Sequence, residues 1–194
     1  MNKTYIVPVP SDQQELASEL SRLSGQIYSK TVSTIKKIKQ KKDIWLSEGD
    51  MKKIIKLYAA GFGLHSQTKQ GAVEQYFDAL KGCFNGMENA DNSRPPYRTR
   101  KYNKVIYKKQ AITKKDNGYY RFSNGRKGKA LMIRISKLTQ TPKYAELIYN
   151  QNKSRYQIHI VVEVENKAIE YENDKTLAID LGVIHPMVTY DGQD

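Results

Sequence analysis

One carboxylate in this sequence sits where carboxylates are costly. Asp180 interrupts the apolar run Leu177-Ala178-Ile179-Asp180-Leu181-Gly182-Val183-Ile184. The run reads as a buried strand, with a bend at Gly182 and a second strand returning from Met187 to Tyr190. An ionised carboxylate there is strongly disfavoured unless it is paired or bound to metal. Asp180 is therefore the candidate metal ligand and the candidate catalytic group. The competing reading is an aspartate that accepts hydrogen bonds from turn amides after Gly182.

The second group with chemical promise is cationic. Residues 94–157 hold 18 lysines and arginines against two acids, Asp116 and Glu146, a net charge of +16 in a chain whose total is +13. Eight of the 14 tyrosines fall in the same stretch. Cations that neutralise phosphates, interleaved with rings that stack on bases, are what a polynucleotide surface requires. The candidate nucleic-acid-binding residues are Arg94, Tyr97, Arg98, Arg100, Lys101, Tyr102, Lys108, Lys109, Lys114, Lys115, Arg126, Lys127 and Lys129. Each of these cations is as readily a solvated charge, and the rings of Tyr97, Tyr102, Tyr107, Tyr119 and Tyr120 serve cross-strand packing as well as stacking.

Composition narrows the class. The chain has 194 residues, 39% of them hydrophobic, and a mean hydropathy of −0.70. No stretch approaches the ~18 apolar residues of a membrane span, and the N-terminus lacks a signal-peptide h-region. A single cysteine, Cys83, excludes an internal disulfide framework or a multi-cysteine zinc site. The expectation is a cytoplasmic protein with polyanionic partners and no membrane.

The elements that position these groups follow from hydrophobic period. Residues 4–9 read as a short edge strand closed by Pro8 and Pro10. Leu16, Leu20, Leu23, Ile27, Ile35 and Ile38 then form one helical stripe, within which Gly25 marks a break or a close helix contact. Ser47-Glu48-Gly49-Asp50 has the form of a capping box before a second helix bearing Met51, Ile54, Leu57 and Tyr58. Ser66 is placed to cap a third, with Val73, Phe77, Leu80 and Phe84 on its core face and Cys83 beside it. Pro95-Pro96 ends the helical part. Beyond it, residues 104–108, 119–122, 130–135, 144–149 and 157–164 are β-prone runs separated by turns, a spacing that suggests a small antiparallel barrel.

Ile179-Asp180-Leu181-Gly182-Val183 and Tyr190-Asp191-Gly192 resemble the first RuvC motif of TnpB, the transposon-encoded RNA-guided nuclease family related to type V CRISPR effectors. Tyr156-Gln157-Ile158-His159-Ile160-Val161-Val162-Glu163-Val164 resembles that family's last strand before RuvC. Leu64-His65-Ser66-Gln67, with Ala72-Val73 and Tyr76-Phe77, resembles its helical segment, and Pro96-Tyr97-Arg98 the lead-in to its barrel.

The resemblance implies an α+β fold: a helical REC-like lobe (11–93) inserted after the first strand (1–10) of a small antiparallel, wedge-like β-barrel (94–172). The first β-hairpin of an incomplete RNase H-like RuvC domain (175–194) would follow. It implies guide RNA and target DNA as partners, with the C-terminal RuvC portion of the same or a second chain as a further one. Asp180 would hold catalytic Mg2+ only in a completed RuvC site, since two-metal hydrolysis takes several carboxylates. On this reading the 194 residues alone do not cut DNA. The alternative is a stand-alone RNA- or DNA-binding regulatory remnant without nuclease activity. An ATP-binding hairpin of the actin and sugar-kinase type is disfavoured, because Val183-Ile184 replaces the expected hydroxyl residue after Gly182.

Overall fold

The computed structural model describes residues 1–88, 94–138 and 140–164, together with the backbone of 178–180 and 188–190. Strand β1 (Asn2–Pro8) leads through a 3-10 turn into helix α1 (Gln14–Lys42), followed by α2 (Glu48–Tyr58) and α3 (Ser66–Glu88). Strands β2 (Val105–Lys108), β3 (Ile112–Lys114), β4 (Tyr119–Phe122), β5 (Leu131–Arg134), β6 (Tyr144–Asn150) and β7 (Arg155–Glu163) come next. Residues Met1–Val164 form one unit and Glu165–Asp194 a second, which contains β8 (Ala178–Asp180) and β9 (Val188–Tyr190).

The fold is α+β, with three helices intervening between β1 and the strands it joins. β1 pairs antiparallel with β7, Asn2 opposite Glu163 and Pro8 opposite Gln157, and it forms the edge of a sheet ordered β1-β7-β6-β2. The expected closed barrel is corrected. β3, β4 and β5 form a separate three-stranded sheet, and among the described residues no ladder joins the two sheets. The 3-10 turn at Lys109–Ala111 ends β2 after four residues and redirects the chain to pair with β4. Two short sheets result where longer continuous strands would be needed to close a barrel.

Alternation explains the core between them. Val105, Leu147 and Ile158 lie in register, as do Tyr107, Ala145 and Ile160, and all six are buried. The Tyr107 hydroxyl donates to Asn124 Oδ1 at 2.9 Å, and Asn124 Nδ2 donates to the Lys129 carbonyl at 2.6 Å, which ties the first sheet to the loop after β4. Tyr120 is likewise buried, its hydroxyl on the Leu138 carbonyl. These two rings are therefore core, and of the five tyrosines weighed for stacking only Tyr97, Tyr102 and Tyr119 retain exposed surface.

Two adjacent glutamines fasten α1 to both sheets. Gln13 exchanges hydrogen bonds with Met132 N–H (2.8 Å) and C=O (2.9 Å), and so stands in for a neighbouring strand along β5. Gln14 does the same at the other sheet, accepting from Tyr156 N–H at 2.8 Å and donating to the Val9 carbonyl at 2.6 Å.

The helix ends have specific causes. Ser47 Oγ accepts from Asp50 N–H at 3.1 Å and donates to Asp50 Oδ2 at 2.7 Å, so the serine half of the capping box forms and the Asp50 carboxylate takes the Ser47 hydroxyl. At α3 the cap is His65, whose Nδ1 accepts from Gln67 N–H at 3.3 Å, and Ser66 is the first helical residue. Leu57 of α2 is 80% exposed, and Phe84, expected on the core face of α3, lies at the margin edge-on to Trp45. Cys83 is buried, as its position beside the apolar face implies. No helix among the described residues is long and apolar enough to cross a membrane.

Glu74 on α3 joins three elements. Lys52 of α2 reaches it at 2.7 Å and Lys108 of β2 at 2.8 Å. Burial works against ionisation of Glu74, but hydrogen bonds and charge from the two lysines outweigh it and hold the carboxyl below its ordinary value. A depressed folded value stabilises above the ordinary 4.5 and is lost as pH falls through the lower folded value. Glu74→Gln is expected to cost about 1 kcal/mol at neutral pH in urea titrations. The variant should also lose stability less steeply below pH 4.5 than the parent does.

Candidate nucleic-acid interface

Residues 99–104 carry no regular secondary structure, so their backbone groups need other partners. Helix α1 supplies them from one small-residue face. Ser21 Oγ donates to the Asn103 carbonyl (2.9 Å), Ser24 Oγ to that of Lys104 (2.9 Å) and Ser29 Oγ to that of Arg100 (2.8 Å). In return Arg100 N–H donates to Ser29 Oγ (2.9 Å) and Asn103 N–H to the Ser21 carbonyl (3.0 Å). Gly25 lies between these serines. A Cβ on it would overlap the Lys101 carbonyl oxygen and come within 2.9 Å of that of Arg100. The close contact that the sequence marked at Gly25 is thus between a helix and an extended segment.

This docking sets Arg100 and Lys101 beside α1 and opens a groove of about 700 Å³. Arg22, Gln26, Ser29, Lys30 and Ser33 of α1 line one side; Tyr58 of α2 and Thr99, Arg100 and Lys101 complete it. Among the described residues no carboxylate lines the groove and none of its four cations forms an ion pair. Arg100 is fixed by a 2.9 Å bond from its guanidinium to Asn103 Oδ1 and by stacking 4.4 Å from the Tyr28 ring centroid. Lys30 Nζ lies 5.2 Å from the ring centroid of Tyr58.

The other expected contacts are dispersed. Lys108 and Lys109 border a separate concavity of about 400 Å³ with Lys143, Gln67, Gln110 and Tyr144, and Lys108 is engaged by Glu74. Lys127 lies near Lys69; burial first, and that neighbouring charge second, hold the Lys69 ammonium below its ordinary value. Lys69 itself lines a concavity with Lys52, Lys53 and Lys56. Lys129 borders a hollow that contains Asp12, Glu15 and Glu19, and Lys114 a small cleft beside Tyr120. Arg94, Arg98, Lys115 and Arg126 are exposed. Tyr97 is half-buried beneath Lys36, and Tyr102 is 47% exposed with Lys101 Nζ 5.6 Å from its centroid.

Sequence reasoning passed over Arg22, Lys30 and Tyr58. The signal was present: Arg22, Gln26, Ser29, Lys30 and Ser33 recur at spacings of three and four on one face of α1. Asp180 closes β8 opposite Val188 on β9, the paired strands expected around it. Gly182, His185, Asp191 and Asp194 lie outside the described residues.

No protein-family model matches this chain, and no curated protein matches it. Among solved structures it is similar to a chain of a cryo-EM structure of a Cas12f1–sgRNA–target DNA complex, at 14% identity and a TM-score of 0.43. The alignment covers 98% of this chain and 54% of that one, so the chain spans about half of its length.

Gly25→Ala is expected to destabilise the protein by about 2 kcal/mol, because backbone rather than a movable side chain must give way. Gly82→Ala, where nothing lies within 4 Å of the added carbon in α3, is expected to be neutral or stabilising by about 0.5–1 kcal/mol. Paired urea unfolding curves check both.

Proposed function

We propose that this chain binds a polynucleotide through the groove of Arg22, Lys30, Arg100 and Lys101, as the N-terminal, nucleic-acid-binding portion of an RNA-guided DNA nuclease of the TnpB type. Guide RNA and target DNA are the partners this reading assigns. The observation that carries the binding is a groove in which four cations stand together with no acid lining it among the described residues. Elsewhere lysines are neutralised by Glu74, Glu146, Asp43 and Asp50; here the charge stays available for phosphates. The order of the sequence motifs, with the Asp180 hairpin last, supports the nuclease assignment.

Asp180 is the residue that would contribute a carboxylate oxygen to Mg2+, a cation that prefers such ligands. Among the described residues no group of three or more His, Cys, Asp or Glu side chains is placed to hold a metal, so those residues do not fit a metal site and no cleavage step is assigned to them.

Binding to a structured RNA should weaken steeply with salt, by roughly 0.7–0.9 in the log–log slope per phosphate contact. The double variant Arg22→Gln/Lys30→Gln is expected to reduce that slope by about 1.4–1.8. A slope unchanged by the double variant removes the groove from the binding surface. Supplying a C-terminal RuvC portion with Mg2+ separates the nuclease from a stand-alone binder: the nuclease reading expects guide-dependent cleavage that Asp180→Ala abolishes.

A further inference from the structure

Two cation–aromatic pairs face the same groove. The Arg100 guanidinium lies 4.4 Å from the Tyr28 centroid, and Tyr28 is itself buried and edge-on to Tyr76. Centred over that ring and bonded through one nitrogen to Asn103, the Arg100 guanidinium is held in place where the residue lines the groove. On the other side Tyr58 is 43% exposed, held edge-on by Phe62 at 5.5 Å, with the mobile Lys30 Nζ over its ring at 5.2 Å, where a stacking base would replace it. Planar groups held rigidly at the surface lose little freedom when a base stacks on them, whereas a phosphate contact needs only a mobile charge. A groove built solely to hold phosphates has no use for a back-stacked guanidinium or an exposed phenol.

We infer that the groove takes single-stranded polynucleotide with unpaired bases stacked on Arg100 and Tyr58, rather than the outside of a duplex. This rests on the groove being the binding site proposed above and names the form of nucleic acid it selects. Lys101 and Arg22 neutralise the backbone of the same strand, and the groove's ~700 Å³ has room for about one to two nucleotides. Stacking tolerates any base, so the preference is for strandedness and not for sequence.

The test uses the full chain and an oligonucleotide of about 12 nucleotides carrying 2-aminopurine, presented single-stranded or annealed to its complement. Binding is expected to favour the single strand and to change the 2-aminopurine fluorescence as the base stacks. Arg100→Lys keeps the charge and the backbone held by Ser29 but removes the planar face. It is expected to lower single-strand affinity roughly 10-fold while leaving duplex affinity and the salt slope as they were. Tyr58→Leu, which keeps apolar packing on Phe62, is the second variant and should do the same. Equal affinity for both forms, or no effect of either variant with the salt slope intact, overturns the stacking and leaves the phosphate groove standing. Absence of any salt-dependent binding overturns both.

Discussion

The contact on which the rest of the first unit depends is the approach of residues 100–104 to Gly25 on α1. Extended backbone can lie against a helix only where the helix presents no side-chain bulk and can return the hydrogen bonds that water would have made. Ser21, Ser24 and Ser29 supply the partners, and Gly25 supplies the space. The segment runs directly into β2, so the same contact sets the first sheet against the helices. Early in α3, Gly71 leaves room in a milder way: a Cβ added there would meet the Ile106 side chain at 3.4 Å. Arg100 and Lys101 reach the groove because their backbone is fixed there, and Asn103 then fixes the Arg100 side chain.

The distribution of acids is as informative as that of the cations. Glu74, Glu146 and Glu48 each meet a lysine, and two of these acids join separate parts of the chain: Glu74 takes Lys52 of α2 and Lys108 of β2, and Glu146 of β6 takes Lys104 just before β2. Among the described residues the groove receives none. Clustering like charges without counterions works against folding; at Lys69 it is burial first, and the Lys127 charge only second, that holds the ammonium below its ordinary value. The serine and glutamine bonds that hold α1 in place are neutral and do not draw on the groove's charge, so the framework can be rigid while the cations remain unpaired.

Local signals in the sequence carried local structure. The Ser47 cap, the edge character of β1 and the special role of Gly25 could all be read from residue type and spacing. What could not be read was which strand meets which. A period of two says that residues 104–108 and 119–122 are strands, but the choice between one closed barrel and two open sheets depends on the redirection at Lys109–Ala111, which pattern does not encode. The site was half legible for a related reason. Arg100 and Lys101 stood out by charge density along the chain, whereas Arg22 and Lys30 lie in a stretch of modest net charge and meet them only after α1 has folded. Density along the sequence finds cations that are neighbours in the chain; helical spacing finds those that share a face.

Helix α1 also sets limits on what the groove can hold. Asp12 in the 3-10 turn before the helix and Glu15 and Glu19 in its first turns border a separate hollow, and its last turn carries Lys39, Lys41 and Lys42, an order that complements the helix dipole at both ends. Arg22 follows Glu19 by three residues, about 4.5 Å along the axis, well within the ~8 Å over which charges act at physiological salt. A polyanion laid along α1 is therefore attracted from Arg22 onward and repelled before Glu19. The same charge order that stabilises the helix gives the groove a defined end, and a bound strand must leave α1 there toward residues 99–101 or stop.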